Sequence, residues 1–212
     1  MYVAICGNTG AGKSTLGKYL PHCLAQFFQV GYIDEKEFHH DYLQEMFDHP
    51  RDYAFLIQMN FLLQRTLKVK RLEEQGRIFL LERSISEDYI FAGRHAESGA
   101  ITGTQFDVYR QFWEQCHTSI SQPSGYIYLS CDDPSLLASR VIEGYRANKR
   151  KQELPDDELL DFVKDLNIRY EKWFENLPSK KIRIPIITTE MDDSDDFKKV
   201  MEFTHECFQG KT

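Results

Sequence analysis

The sequence contains no apolar run approaching the roughly 18 residues that a membrane-crossing helix needs, so no transmembrane segment is expected. It has no basic leader and no cleavage site ahead of its first strand, and a secretory signal is not expected either. The five cysteines, Cys6, Cys23, Cys116, Cys131 and Cys207, are odd in number and scattered. Without a CxxC pair or zinc spacing, they exclude a disulfide framework and a zinc finger and point to reduced thiols in the cytoplasm. Positive charge is not in excess, since 26 Lys and Arg face 33 Asp and Glu for a net charge of -7. A nucleic-acid backbone is therefore not expected as a partner, whereas a small anion in a local basic pocket remains open. Internal repeats and low-complexity tails are missing. The short acidic run at 192–196 reads as a loop and helix cap rather than a metal site.

What is present is the composition of a folded chain. Of 212 residues, 42% are hydrophobic and 13% aromatic, enough for the core of one domain spanning 1–212. Residues 2–6 (YVAIC) form a short apolar run before the glycine-rich GNTGAGKST of 7–15. LGKYLPHCLAQFF then takes helical spacing, with an interruption expected near Pro21. Residues 30–34 (VGYID) read as a second strand ending at the acidic pair Asp34 and Glu35. From about Tyr53 to Gln75 no glycine or proline intervenes, and Gly76 suits a C-cap. The first half of this segment is apolar on nearly every side, the pattern of a central helix packed against a sheet and other helices. IFLLERS (78–84) is a buried strand with charges at its C-terminal end, and helices are expected from near Glu87 and over roughly 103–119. GYIYLSC (125–131) is another strand, followed by the helix DPSLLASRVIEG, a charged stretch and a long amphipathic helix. KIRIPIITTE and DFKKVMEFTHECF close the chain as strand and helix. Strands alternating with helices predict an α/β, doubly wound parallel sheet with helices on both faces.

Gly7-Asn8-Thr9-Gly10-Ala11-Gly12-Lys13-Ser14 satisfies every fixed position of GxxxxGK[ST], between an expected strand and helix. Glycines let successive backbone N–H groups turn toward phosphate oxygens, and the helix that follows adds its positive end. Lys13 can bridge the terminal phosphates, and Ser14 can place its hydroxyl on Mg²⁺. This pattern establishes nucleoside triphosphate binding without separating a kinase from an ATPase or GTPase. No NKxD-like signature and no DxxG after a strand support a GTPase; a helicase-type ATPase would be longer and carry Asp-Glu after its apolar run, whereas here IFLL ends in Glu82-Arg83-Ser84. A small-molecule kinase survives this comparison.

The sequence resembles the deoxynucleoside kinase family. The matching pieces are GNTGAGKST (7–15), IDE (33–35), MFDHPRDYAFLIQMNFLLQR (46–65), LLERSISEDYIFA (80–92) and an arginine-rich stretch after Arg140. They occur in family order over about three quarters of the chain, and ERS followed by YIFA is more specific than the phosphate loop. The resemblance implies a P-loop kinase with a five-stranded parallel sheet flanked by helices, an arginine-rich lid at about 140–153, and a homodimer. It implies transfer of the γ-phosphoryl group of ATP, with Mg²⁺, to the 5′-hydroxyl of a deoxynucleoside.

Residue by residue, the resemblance makes Glu35 the candidate general base, a carboxylate that orients a hydroxyl and accepts its proton. Asp34 and a merely structural acidic edge stand as the alternatives. Glu82 would help hold Mg²⁺ with Ser14, and Arg83 would contact the 5′ region, although such a pair can also be a strand-end salt bridge. Gln58 and Arg65 lie seven residues apart on one helical face and would read the base edge, unless they simply solvate a surface. Asp88, or Glu87 if the alignment slips, would be the acid working with Arg65; Phe91 and Phe55 would line the base pocket, or serve only the core. Lys13 with Gly7, Asn8, Thr9, Gly10, Ala11, Gly12, Ser14 and Thr15 would cradle ATP.

Two departures from the family pattern stand out. Phe47 takes the place where deoxycytidine-phosphorylating members carry a tyrosine on the sugar 3′-hydroxyl; Glu153 could supply part of that role. In the lid, RVIEGYRANKRKQE has about two additional residues and lacks a Gly-Arg step, leaving Arg140, Arg146 and Arg150 as phosphate-facing candidates in competition with Lys149 and Lys151. An acid beside Arg65 favours deoxyadenosine, deoxyguanosine or deoxycytidine over thymidine. Another P-loop small-molecule kinase, such as a nucleoside monophosphate kinase, and a non-catalytic nucleotide-binding subunit are the competing readings. Glu35 beside the acceptor would repel a monophosphate, and the intact set Lys13, Ser14, Glu35, Glu82 and Arg83 argues against loss of catalysis.

Overall fold

The computed structural model describes residues 1–38, 42–147, 154–186 and 194–210. These residues cluster into two compact units, one comprising 1–33, 78–82 and 123–212 and the other 34–77 and 83–122.

The first unit holds the sheet. Its strands are β1 (Tyr2–Gly7), β2 (Val30–Ile33), β3 (Ile78–Glu82), β4 (Gly125–Ser130) and β5 (Lys181–Pro185), all parallel in the order β2-β3-β1-β4-β5. Its helices are α1 (Lys13–Leu24), α6 (Pro134–Ala147), α7 (Asp156–Asn176) and α8 (Asp195–Phe208). The two faces of the sheet divide by strand parity. Val3, Ile5, Ile127 and Leu129 meet Leu16, Leu20 and Leu24 of α1 and Phe197, Val200 and Phe203 of α8. On the opposite face Tyr128 stacks on Tyr170 and packs tilted on Phe174, and Tyr126 meets Trp173 edge-on, all three partners belonging to α7. The sheet thus carries helices on both sides, as the alternating pattern predicts.

The expected break near Pro21 does not occur, and α1 runs through it to Leu24. Proline inside a helix costs about 3 kcal/mol. Leu16, Leu20 and Leu24, spaced by four, are each buried on the core face across that point. Burying one such side chain contributes about 1.5–3 kcal/mol, so the stripe outweighs the proline. In α8 the cap is Ser194, whose Oγ accepts from Phe197 N at 3.1 Å, while Asp195 and Asp196 fill the first turn. Asp192 and Asp193 lie outside the described residues.

The second unit is helical, with a 3₁₀ turn (Glu35–Phe38), α2 (Leu43–Asp48), α3 (Pro50–Glu74), α4 (Ile85–Glu97) and α5 (Gly103–Ser119). α3 starts earlier than the sequence pattern suggests because Pro50 occupies its first turn, where a missing N–H is harmless. It ends on Gly76 in the left-handed region, with Gly76 N bonded to Glu73 O at 2.9 Å and Arg77 N to Leu72 O at 3.0 Å. Within its unit α3 packs on α2, α4 and α5. Its first half, apolar on nearly every side, is not covered on all of them: Leu56 and Leu63 are exposed, as is Leu67 further along, by 67%. Apolar periodicity cannot separate a core-facing stripe from one open to solvent. α4 begins at Ile85, two residues before the expected start, because Ser84 serves as N-cap and the Glu87 side chain returns to accept from Ser84 N at 2.8 Å.

Candidate active site

In the first unit, β1 delivers the chain into the loop of residues 8–12. Gly10 has φ 75°, and a Cβ there would fall 2.6 Å from Leu137 O of α6. Only glycine allows both the left-handed turn and the close approach. Asn8 anchors the loop from within: its Nδ2 donates to Val163 O of α7 at 2.8 Å and its Oδ1 accepts from Thr9 N at 2.8 Å. Lys13, the first residue of α1, is buried to 4% exposure and donates from Nζ to Asn8 O at 3.0 Å. Ser14 Oγ donates to Glu82 Oε1 at 3.0 Å, and the hydroxyl of Tyr32 donates to Glu82 Oε2 at 2.5 Å. A pocket of about 320 Å³ lies along α1, lined by Ser14, Thr15, Lys18, Tyr19 and His22. α6 carries Arg140, half-buried, and Arg146, exposed. Lys149, Arg150, Lys151 and Glu153 lie outside the described residues.

Gly7 ends β1, Thr9, Ala11 and Gly12 fall on this loop, and Thr15 lies in the first turn of α1. The oxygen donors Ser14 and Glu82 suit a hard cation such as Mg²⁺, which takes one or two protein oxygens and draws further ligands from phosphates and water. Among the described residues no group of three or more His, Cys, Asp or Glu forms a dedicated metal cage. Tyr32 is a participant that sequence reasoning missed; its relation to Glu82 depends on strand register.

In the second unit two ion pairs come together. Arg83 Nε lies 2.6 Å from Glu35 Oε1, a charge contact without the alignment of a hydrogen bond. The guanidinium of Arg83 also sits 4.6 Å from the centroid of the Phe91 ring. Arg83 has φ 64°, alone in the left-handed region among the described non-glycine residues. Such a conformation costs on the order of 1–3 kcal/mol and directly precedes Ser84, the cap of α4. Asp34 is engaged differently: its Oδ1 accepts from Lys36 N at 3.0 Å, a local turn that starts the 3₁₀ segment.

The second pair is Arg65 of α3 with Asp88 of α4. Nε donates to Oδ2 at 2.9 Å and Nη2 to Oδ1 at 3.2 Å, a bidentate fork. Arg65 is 0% exposed, and its guanidinium lies 4.7 Å from the ring centroid of Phe38, a contact that the sequence did not reveal. Burial works against the Arg65 charge, but the charge and hydrogen bonds of Asp88, with the charges of Glu35 and Glu87, together more than offset it and raise the proton affinity of the guanidinium. Glu35 and Arg83 also act electrostatically on Asp88, so the two pairs share one polar patch. Glu87, fully buried, is committed to capping α4, whereas Asp88 reaches Arg65. Gln58 is buried on α3 two turns before Arg65. Tyr109 of α5 is buried with a hydroxyl lacking a hydrogen-bond partner among the described residues. Burial, and then the nearby negative charge of Asp88, push this phenol well above its ordinary value. Phe47 and Phe55 pack on the apolar cluster of Met46, Ala54, Ile57, Ala100 and Ile101.

A parallel sheet with a glycine-rich phosphate loop between β1 and α1 defines the class as a P-loop nucleoside triphosphate-binding protein. Comparison with known proteins carries this further. The chain matches the deoxynucleoside kinase family model over residues 3–208 and belongs to that family. It is an ATP-dependent kinase that converts a deoxynucleoside to its 5′-monophosphate. A deoxyadenosine/deoxycytidine kinase of Bacillus subtilis is 29% identical over 188 residues, covering 86% of this chain and 82% of that protein. A deoxyguanosine kinase of the same organism is 24% identical over 201 residues, covering 92% and 88%. Among solved structures, deoxyadenosine kinase from M. mycoides with bound dATP superposes with a TM-score of 0.74 at 18% identity, covering 95% of this chain and 97% of that one.

Proposed function

We propose that this kinase acts on deoxyadenosine, deoxyguanosine or deoxycytidine in preference to thymidine, with a purine slightly favoured. The observation that carries the reading is the buried Arg65–Asp88 fork with Gln58 on the same helix. A guanidinium supplies donors, a carboxylate supplies an acceptor, and an amide supplies both. That set suits an exocyclic amine beside a ring nitrogen or carbonyl, which thymine lacks. The naming of curated relatives for deoxyadenosine, deoxycytidine and deoxyguanosine agrees with it.

In this reading the loop amides of residues 7–15 and Lys13 hold the phosphates of ATP, and Arg140 and Arg146 close over them as part of the lid; Arg150 and Glu153 keep the roles the family resemblance implies. Ser14 and Glu82 would hold Mg²⁺, which when bound neutralises charge on the β- and γ-phosphate oxygens. Glu35 accepts the proton of the 5′-hydroxyl, and Arg83, stacked on Phe91, steadies both Glu35 and the 5′ oxygen region. Phe47 and Phe55 offer apolar walls only. The exposed stripe Leu56, Leu63 and Leu67 of α3, with Val108 and Phe112 of α5, is the surface that a second copy would cover in a homodimer. Five free cysteines fit a cytoplasmic setting.

The test is a phosphoryl-transfer screen with ATP, Mg²⁺, the four deoxynucleosides, the ribonucleosides and the monophosphates. The expected result is a higher kcat/KM for an amine-bearing deoxynucleoside than for thymidine or any monophosphate. A preference for thymidine would overturn the base assignment.

A further inference from the structure

Registered partners on adjacent strands share a face, as do alternate residues within a strand. Tyr32 pairs with Leu80, Val3 pairs with Leu80, and Ile5 pairs with Glu82. Tyr32 and Glu82 therefore project from the same face, the one on which α1 packs through Leu16 and Leu20. Gly17 lies on that side of α1. A Cβ at position 17 would stand 2.1 Å from Tyr32 Cε2, so the ring fills the space that a side chain would need. The hydroxyl of that ring donates to Glu82 Oε2 while Ser14 Oγ donates to Oε1, each oxygen of the buried carboxylate having its own anchor.

We propose that Tyr32 is a positioning residue that fixes the plane of the Glu82 carboxylate for a divalent cation. The inference rests on the reading of Ser14 and Glu82 as the magnesium site. A glutamate side chain has three rotatable bonds, and a donor on each carboxylate oxygen defines the plane of the group better than a donor on one. The Tyr32 bond at Oε2 narrows that freedom before any metal arrives. The Ser14 hydroxyl must also serve the metal, so the Tyr32 donor is the one whose loss acts on Glu82 without removing a ligand. Partners that orient a ligating carboxylate typically account for a factor of about 10–100 in metal affinity. Gly17 belongs to the same device, because any larger residue there displaces the ring.

The experiment measures ADP affinity by calorimetry with Mg²⁺ and with EDTA for wild type, Y32F, G17A and E82Q, with thermal unfolding to show that each is folded. The ratio of the two affinities isolates the contribution of the metal. We expect Y32F, which keeps the ring and loses only the hydroxyl, to lower that ratio about tenfold and leave the EDTA value unchanged. G17A, which keeps the hydroxyl but moves the ring, should lower it too and gives an independent readout if Y32F folds poorly. A collapsed ratio in E82Q with wild-type ratios in Y32F and G17A would refute the role of Tyr32 while leaving the magnesium assignment standing. A wild-type ratio in E82Q would overturn both.

Discussion

Replacing Asp88 with alanine removes the carboxylate that accepts from Arg65 Nε at 2.9 Å and Nη2 at 3.2 Å. Arg65 is 0% exposed, so water cannot take over these bonds without opening the packing between α3 and α4. Breaking such a buried pair costs about 3–5 kcal/mol, because a buried charge loses the carboxylate that offsets its desolvation. The Phe38 ring under Arg65 does not offset this, since it is already there in the wild type. Against a total stability of about 5–15 kcal/mol, D88A should fold but unfold roughly 2 M earlier in urea, for a slope near 2 kcal/mol/M. The double variant R65M/D88L replaces both charges by apolar groups of similar bulk and should recover most of the loss. Neither variant should keep the base preference. The advantage of amine-bearing deoxynucleosides over thymidine should fall about 10- to 100-fold, equivalent to about 1.4–3 kcal/mol. Urea unfolding and kcat/KM on the four deoxynucleosides test both consequences. A D88A protein within about 1 kcal/mol of wild type would refute the energetic reasoning, and unchanged selectivity would refute the base assignment.

E35Q should lower kcat by about 10²–10⁴ with a smaller change in nucleoside affinity, because the amide retains size but cannot accept the proton; a mild E35Q beside a severe D34N in steady-state assays would shift the role to Asp34. Burial, and then the charge of Arg94, lower the His95 imidazole from 6.5 to about 4. Between those pH values the unfolded chain binds a proton that the folded chain excludes, so this stability is present above pH 6.5 and lost as pH falls toward 4. The loss from pH 7 to pH 5 should be about 2 kcal/mol, and urea unfolding of H95Q should show a correspondingly flatter dependence than wild type. Y109F deletes a buried hydroxyl that has no hydrogen-bond partner among the described residues and should leave stability unchanged or raise it by about 1 kcal/mol in thermal or urea unfolding; a comparable drop would mean that the hydroxyl is bonded in solution.

The sequence by itself determined the sheet, the loop and the identity of most chemistry-bearing residues. Strand periodicity, GNTGAGKST and the ERS triplet are local signals, set by side chains within a few residues of one another. The capping box Ser84–Glu87 is also local, and its spacing alone could have separated Glu87, which caps α4, from Asp88, which is free to reach α3. Tertiary structure decided what depends on register and packing. The continuity of α1 through Pro21 follows from three leucines buried in a core that exists only once the sheet has formed. The bond from Tyr32 to Glu82 spans 50 residues and exists because β2 pairs with β3 so that Tyr32 meets Leu80. A shift of one residue would send Tyr32 to the other face, and no pattern within the strand itself fixes that register.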